Sequence, residues 1–372
     1  MSAPARVRFL RDDGFHAAVK RAVAAYFDRT HLARWGGAGM HAKTAIILAW
    51  FGASYGSLLA WGGASGWLAS ALTSSLALAT AGIGFAIMHD ANHGAYSRSA
   101  AVNGAWGHAV DLIGGSSYVW RFKHNVQHHT YANIDGMDAD IDAGPLLRLA
   151  PSQPLRAFHR FQHLYAWPLY GVLALKWWLV DDVVDLVRGR IGPVAFRRPT
   201  GLGLAALLAG KLAFFGWALV VPALVFRSAW VAPFFLLGAG VLGLVLSTVF
   251  QLAHAVPQAR FHAARPGDQR MPTGWAEHQV RATADFAPRN RVLSWYVGGL
   301  NFQVEHHLFP EVCHVHYPAL ARIVEKACGE HGVPYRVQPS LRAAVAQHFR
   351  HLRALGRRDE PALASPAPSC AG

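Results

Sequence analysis

Apolar residues gather in four long runs, and polar residues gather between them. The runs cover residues 44–61, 66–88, 201–226 and 229–253. Each approaches or exceeds the roughly 20 apolar residues needed to cross the hydrocarbon core of a bilayer. They come as two pairs joined by short turns, so the pattern predicts two transmembrane hairpins. A shorter apolar stretch, 164–180, carries Lys176 with Trp167, Trp177 and Trp178. Basic and aromatic residues in that mixture predict a helix lying in the membrane interface. Residues 106–119 read as a second segment that dips into it. From about Gly356 onward, Pro, Ala and Ser beside charged residues predict a disordered tail. The expected organisation is an N-terminal segment, 1–43, a membrane domain, 44–355, and a tail, 356–372.

Composition agrees with this layout. The chain is 53% hydrophobic and 15% charged, with 13 Trp and 20 Phe, which is apolar for a soluble domain. Its net charge of +14 raises nucleic acid as a partner, and the distribution of that charge argues against it. Every Lys and Arg except Lys211 and Arg227 falls within 1–43, 89–200 and 254–372. Four spans put those three segments on one side, and the excess of positive charge beside spans marks that side as cytoplasmic. The residues that weigh most are Arg34, Lys43, Arg98, Arg197, Arg198 and Arg260. Both termini are therefore expected in the cytoplasm, in what reads as a bacterial plasma membrane. Lys43 lies at the edge of the first run, and Lys211, inside the third, is expected to snorkel. Cys313, Cys328 and Cys370 show no paired spacing, which implies reduced thiols. No cleavable signal peptide is expected, since no short apolar stretch follows the first basic residues.

The candidate chemistry lies in three histidine clusters at the borders of the apolar runs: His89 and His93; His124, His128 and His129; and Gln303 with His306 and His307. Residues three or four apart share a helix face, so each cluster can aim its imidazoles at one point. Imidazole suits iron, zinc, copper and nickel. The set is too large for one ion, since a single zinc is usually closed by four ligands. Gln251 and His254 end the fourth run at the depth of His89, so every cluster converges at the cytoplasmic face. A His-rich metal transporter would instead carry such residues near the bilayer midplane.

The stretch 124–141, His-Asn-Val-Gln-His-His-Thr-Tyr-Ala-Asn-Ile-Asp-Gly-Met-Asp-Ala-Asp-Ile, resembles the second histidine box of the membrane fatty acid desaturases. The stretch 298–310, Gly-Gly-Leu-Asn-Phe-Gln-Val-Glu-His-His-Leu-Phe-Pro, with Cys-His-Val-His-Tyr-Pro at 313–318, is similar to the third. Gln303 in place of that box's first histidine is a trait of the front-end, delta-5/delta-6 type branch. The resemblance runs from about Phe85 to Leu355. It implies an all-α integral membrane fold of four transmembrane helices and interfacial helices, with a cytosolic helical cap holding a non-haem di-iron centre. It implies as ligands His89, His93, His124, His128, His129, His254, His306 and His307, with Gln303 weak or water-mediated, and no catalytic group beyond them. Asp90, Asp138, Asp140, Glu305 and His278 are the candidates for holding those imidazoles in place. Asp285 stands where relatives commonly carry Asn.

The resemblance further implies O2 as co-substrate and a cis double bond inserted into a long acyl chain, carried on CoA, a lipid or a carrier protein. Hydroxylation by the same kind of centre is the alternative. The His-Pro-Gly-Gly motif of a fused cytochrome b5 is absent, so electrons are expected from a separate ferredoxin or cytochrome b5-like donor. The basic cytoplasmic face would steer an acidic one. The acyl chain is expected in a tunnel lined by the aromatic-rich spans.

Overall fold

The computed structural model of the chain describes residues 6–11, 14–264 and 267–357. Residues 358–372, most of the expected tail, lie outside the described residues.

Among the described residues, four helices are long and apolar enough to cross a membrane: Gly37–Ala64, Gly66–Asn92, Leu202–Phe226 and Val231–His254. They match the four predicted runs. The first starts at Gly37, earlier than expected, because its one charged residue is satisfied internally. Lys43 is not at an exposed edge: it is 4% exposed, and its ammonium donates to His314 Nε2 at 2.7 Å. The second span begins with Ser65, whose hydroxyl accepts from Leu68 N at 3.2 Å and so satisfies one of the free donors of the first turn. Its apolar window is 67% buried, against 17–22% for the other three. It is the inner helix of the bundle, and it carries the first histidine cluster at its end.

The expected interfacial helix is present and longer than predicted. It runs Gln162–Lys176, turns through a π-helical segment, Trp177–Asp181, and continues as Asp182–Arg188. It packs against the fourth span at Gly243, where a Cβ would sit 2.7 Å from the carbonyl oxygens of Tyr170 and Gly171. Only a residue without a side chain allows that approach. Lys211 does not snorkel. It donates to Asp182 Oδ2 at 2.7 Å and to Gly114 O at 2.6 Å, because an ammonium withdrawn from water needs a paired charge and filled hydrogen bonds. Residues 106–119 form parts of three short helices, Ala100–Gly107, Ala109–Leu112 and Ser117–Trp120. These lean on the third span, whose Trp217 Nε1 donates to Leu112 O at 2.9 Å.

Above the bundle lies the cap. Phe15–Thr30, Trp275–Ala282, Gln303–Leu308 and Tyr317–Glu330 enclose a core of Val19, Val280, Phe302, Leu320 and Val324. The terminal helix, Leu341–Leu355, lies on the interfacial helix. The fold is mostly helical, as expected, and the described residues add four two-stranded ribbons. Arg6–Leu10 runs parallel to Asp268–Gly274, and Asp285–Phe286 runs parallel to Val337–Gln338 with Asp285 opposite Val337. The others pair Ile134–Asp135 with His262–Ala263 and Arg190–Ile191 with Val194–Ala195. Gly298 seats the cap on the second span: it has φ +60°, and a Cβ there would lie 2.2 Å from Phe85 O.

Candidate metal centre

Each cluster owes its aim to a local feature of the backbone. A π-helical turn, Ile83–Met88, precedes His89 at the end of the second span. The second cluster sits on another π-helical segment, Arg121–His128, whose ladder closes with His129 N donating to His124 O. A π-helix bonds residues five apart, so it rotates side chains away from α-helical positions. Here it brings His124, His128 and His129 to one side. His306 and His307 lie on the short helix Gln303–Leu308, and His254 closes the fourth span.

The ring nitrogens gather into two groups. His89, His93, His124 and His306 offer ligand atoms within 4.8 Å of one another, and so do His128, His254 and His307. His129 stands between them, its ring centroid 4.6 Å from that of His306 and 4.5 Å from that of His307. Nε2 of His124 is 3.2 Å from Nε2 of His89 and 3.2 Å from Nε2 of His129. Two metal–nitrogen bonds of roughly 2.1 Å at right angles would put their nitrogens about 3.0 Å apart. The three-histidine group is closed, whereas His93 and His124 in the other are partly exposed. The Gln303 amide nitrogen lies 3.0 Å from His254 Nε2, which places this side chain at the edge of the second group.

On three of the rings, hydrogen bonds at the far side leave the inner nitrogen free. Nδ1 of His128 donates to both oxygens of Asp138, at 3.1 and 3.2 Å. Nδ1 of His307 donates to Gln279 Oε1 at 2.8 Å, and Nδ1 of His306 to the Tyr317 hydroxyl at 3.2 Å. The Nε2 atoms of His93, His128, His306 and His307 are then buried without a hydrogen-bond partner. Buried polar atoms are rarely left so, and a neutral imidazole with an inward lone pair suits a divalent metal. Burial first, then neighbouring imidazoles, hold His124, His129, His306 and His307 well below the usual histidine range. Burial also works against charge on His128, but the Asp138 carboxylate outweighs it and raises that group.

The expected outer carboxylates behave differently from one another. Asp138 lies within 3.2 Å of His128 Nδ1. Asp140 lies 3.8 Å from His128 Nδ1 and pairs with Lys123 at 3.0 Å. Asp90 stands 4.0 Å from His89 Nδ1 and accepts instead from His314 Nδ1 at 2.8 Å. Glu305 turns away from the imidazoles and accepts from Tyr335 at 2.9 Å. His278 is buried, and its Nε2 donates to Ala132 O at 2.8 Å. It therefore steadies the chain after the second cluster and touches no ligand candidate. Sequence reading missed Gln279 and Tyr317. Tyr317 lies within the quoted third-box continuation, and Gln279 directly follows His278, but neither residue type announces a metal neighbour.

With this geometry in place, the comparison with known proteins is decisive. The chain matches the family model described as fatty acid desaturase over residues 65–339. The chain belongs to the fatty acid desaturase family. Among its relatives is the sn-1 linoleoyl-lipid 6-desaturase of Arthrospira platensis, 37% identical over 96% of this chain and 97% of the relative. The enzyme of the same description from a Synechocystis strain is 36% identical over 95% and 98%. The acyl-lipid (8-3)-desaturase of Physcomitrium patens is 36% identical over 93% and 72%. The protein is thus an oxidoreductase of lipid metabolism with membrane-spanning helices, and its histidine clusters can hold metal.

This desaturase also has a cavity of about 550 Å³ within the bundle, lined by Leu76, Thr80, Trp178, Phe214, Phe235 and Leu242 among others. The nearest lining residue on the second span, Thr80, is nine residues before His89, or about 14 Å along a helix. The cavity therefore lies beneath the histidines, on the membrane side, and no ligand candidate lines it.

Proposed function

We propose that this desaturase holds two irons, one at His89, His93, His124 and His306 and one at His128, His254 and His307. His129 lies between them, and Gln303 is a weak or water-mediated ligand of the second. The observation that carries this reading is the division of the histidines into two adjoining groups, in which Nε2 of His93, His128, His306 and His307 is buried without a partner. What the bound irons supply is the activation of O2 needed to take hydrogen from an unactivated methylene. The protein's own part is to aim the imidazoles, through Asp138, Gln279 and Tyr317.

The reaction inserts a cis double bond into a long acyl chain of a lipid. Two hydrogens leave neighbouring methylenes, and O2, two external electrons and two protons complete the balance as two waters. The acyl tail lies in the apolar cavity between the spans, and the reacting segment meets the centre on the side where His93 and His124 are partly open. Near full-length similarity to linoleoyl-lipid 6-desaturases, together with Gln303, supports a new bond on the carboxyl side of an existing one. The relatives named here are all desaturases, which favours desaturation over hydroxylation. A small acidic redox protein, ferredoxin or cytochrome b5-like, delivers the electrons to the basic cytoplasmic face.

The test is to express the chain in a desaturase-deficient host fed linoleate and to locate new bonds in its lipids by mass spectrometry. A bond at carbon 6, the position in the relatives' description, is the expected product. A hydroxylated product alone would overturn the reaction. A bond formed only at the ninth carbon of fed stearate would overturn the regiochemistry.

A further inference from the structure

Two carboxyl groups, Asp285 and Glu305, are buried side by side in the cap, 1% and 0% exposed. Neither belongs to the ligand groups. The two carboxyls hydrogen-bond to each other, and one hydroxyl touches both: Tyr335 Oη lies 2.5 Å from Asp285 Oδ2 and 2.9 Å from Glu305 Oε1. A phenol has one proton to give and can also accept, so it links both carboxyls at once. The other oxygen of Asp285, Oδ1, accepts from Val304 N at 3.0 Å. Val304 lies in the first turn of Gln303–Leu308, whose own preceding residue, Phe302, offers no side-chain cap. The first backbone N–H groups of any helix lack partners within it, and a carboxylate there stabilises the end. Asp285 supplies that cap from a distant part of the chain.

The frame behind Asp285 is equally specific. Its strand runs beside Val337–Gln338, and Asp285 N donates to Arg336 O at 2.9 Å. Tyr335 thus approaches from the segment that leads into the neighbouring strand, and grips Asp285 and Glu305 together. A helix of six residues has little stability of its own, so its direction depends on such outside contacts. That helix carries His306 and His307.

We propose that Tyr335 is a positioning residue for the third histidine box, acting through Asp285 and Glu305. Its hydroxyl sets the cap on Val304 and the anchor at Glu305, and these fix the direction of the two imidazoles. Without the hydroxyl, Asp285 and Glu305 lose their shared partner. An asparagine at 285 compensates with a direct link that needs no shared proton, because its oxygen still caps Val304 while its amide donates to Glu305.

The inference rests on the proposed metal centre for one of its two readouts. Wild-type, Y335F and Y335F/D285N full-length proteins are purified metal-free in lipid nanodiscs. Hydrogen–deuterium exchange is followed in peptide 303–308, and cobalt(II) uptake is followed by visible absorption. Y335F should exchange faster in 303–308 and bind cobalt measurably more weakly, by less than the roughly tenfold lost when a direct hydrogen-bond partner of a ligand is removed. Y335F/D285N should return both readouts toward wild type. Unchanged exchange at 303–308 in Y335F, a change confined to 333–338, or a double variant no closer to wild type would each overturn the proposal. If Y335F alone does not fold, recovery of folded protein by D285N supports it, and failure to recover overturns it. Wild-type protein that takes up no cobalt would break the metal reading instead, and the exchange data would then decide this inference alone.

Discussion

Asp138 accepts from His128 Nδ1 and also from the backbone N–H groups of Asn133 and Asp140, at 2.9 and 3.0 Å. One carboxylate therefore sets the tautomer of a ligand candidate and shapes the loop that follows it. D138N keeps the shape but weakens the acceptor, and an expected result is a metal affinity lower by about 10–100-fold. H128A should abolish turnover altogether while the protein still inserts. Metal titration and elemental analysis of both variants, beside their turnover, check this; zinc alone in an active wild-type preparation would contradict the iron assignment. Asp138 was legible in the sequence because it sits in the continuation of the second box. Gln279 was not, because its partner His307 is 28 positions away and its own neighbourhood points to His278.

The elements that aim the ligands depart from ideal helices. The π-helical turns at Ile83–Met88 and Arg121–His128 rotate the first and second clusters, which α-helical spacing alone would not describe. The terminal helix, Leu341–Leu355, packs against the fourth span, which carries His254. On it, His348 Nδ1 donates to Ala255 O at 2.8 Å and Nε2 accepts from the Tyr170 hydroxyl at 2.7 Å, next to the end of the fourth span. Burial pushes His348 down from its ordinary 6.5 to about 4, although its bond to Ala255 pulls the other way. The folded protein therefore keeps this imidazole neutral where the unfolded chain would take up a proton. Stability should be fully present above pH 6.5 and decline as pH falls toward about 4, levelling below that. The slope from this one group is at most roughly 1.4 kcal/mol per pH unit. H348Q, whose amide can replace both hydrogen bonds, should flatten the decline; melting temperatures across this pH range in detergent measure it. An unchanged slope would remove His348 as its source.

At the scale of the whole molecule, the inner second span links membrane and cap, and Gly298 brings the two into backbone contact. Basic residues flank the spans on the side where the histidines gather, so the centre, both termini and the 89–200 segment should face the cytoplasm. Reporter fusions at Arg34, at Arg190 and after residue 357 are expected to give cytoplasmic signals. A signal from the opposite side at Arg190 would rule out the four-span topology. The cavity lies between the spans, beneath the histidines, which fits an acyl chain drawn from the bilayer.

The sequence by itself determined the four spans, their pairing into hairpins and the histidine clusters at one membrane face. Those signals are local: run length is set against bilayer thickness, and histidine spacing against a helix turn. Tertiary structure alone decided how the histidines divide into two groups, with His254 joining His128 and His307. It also decided that Lys43 and Lys211 are satisfied inside the protein and that Glu305 faces Tyr335 and leaves the imidazoles alone. Such choices depend on partners far along the chain, from Asp182, 29 positions before Lys211, to His314, 271 positions after Lys43. A buried charge takes whichever partner the packed fold brings within hydrogen-bond reach, and no local pattern encodes that.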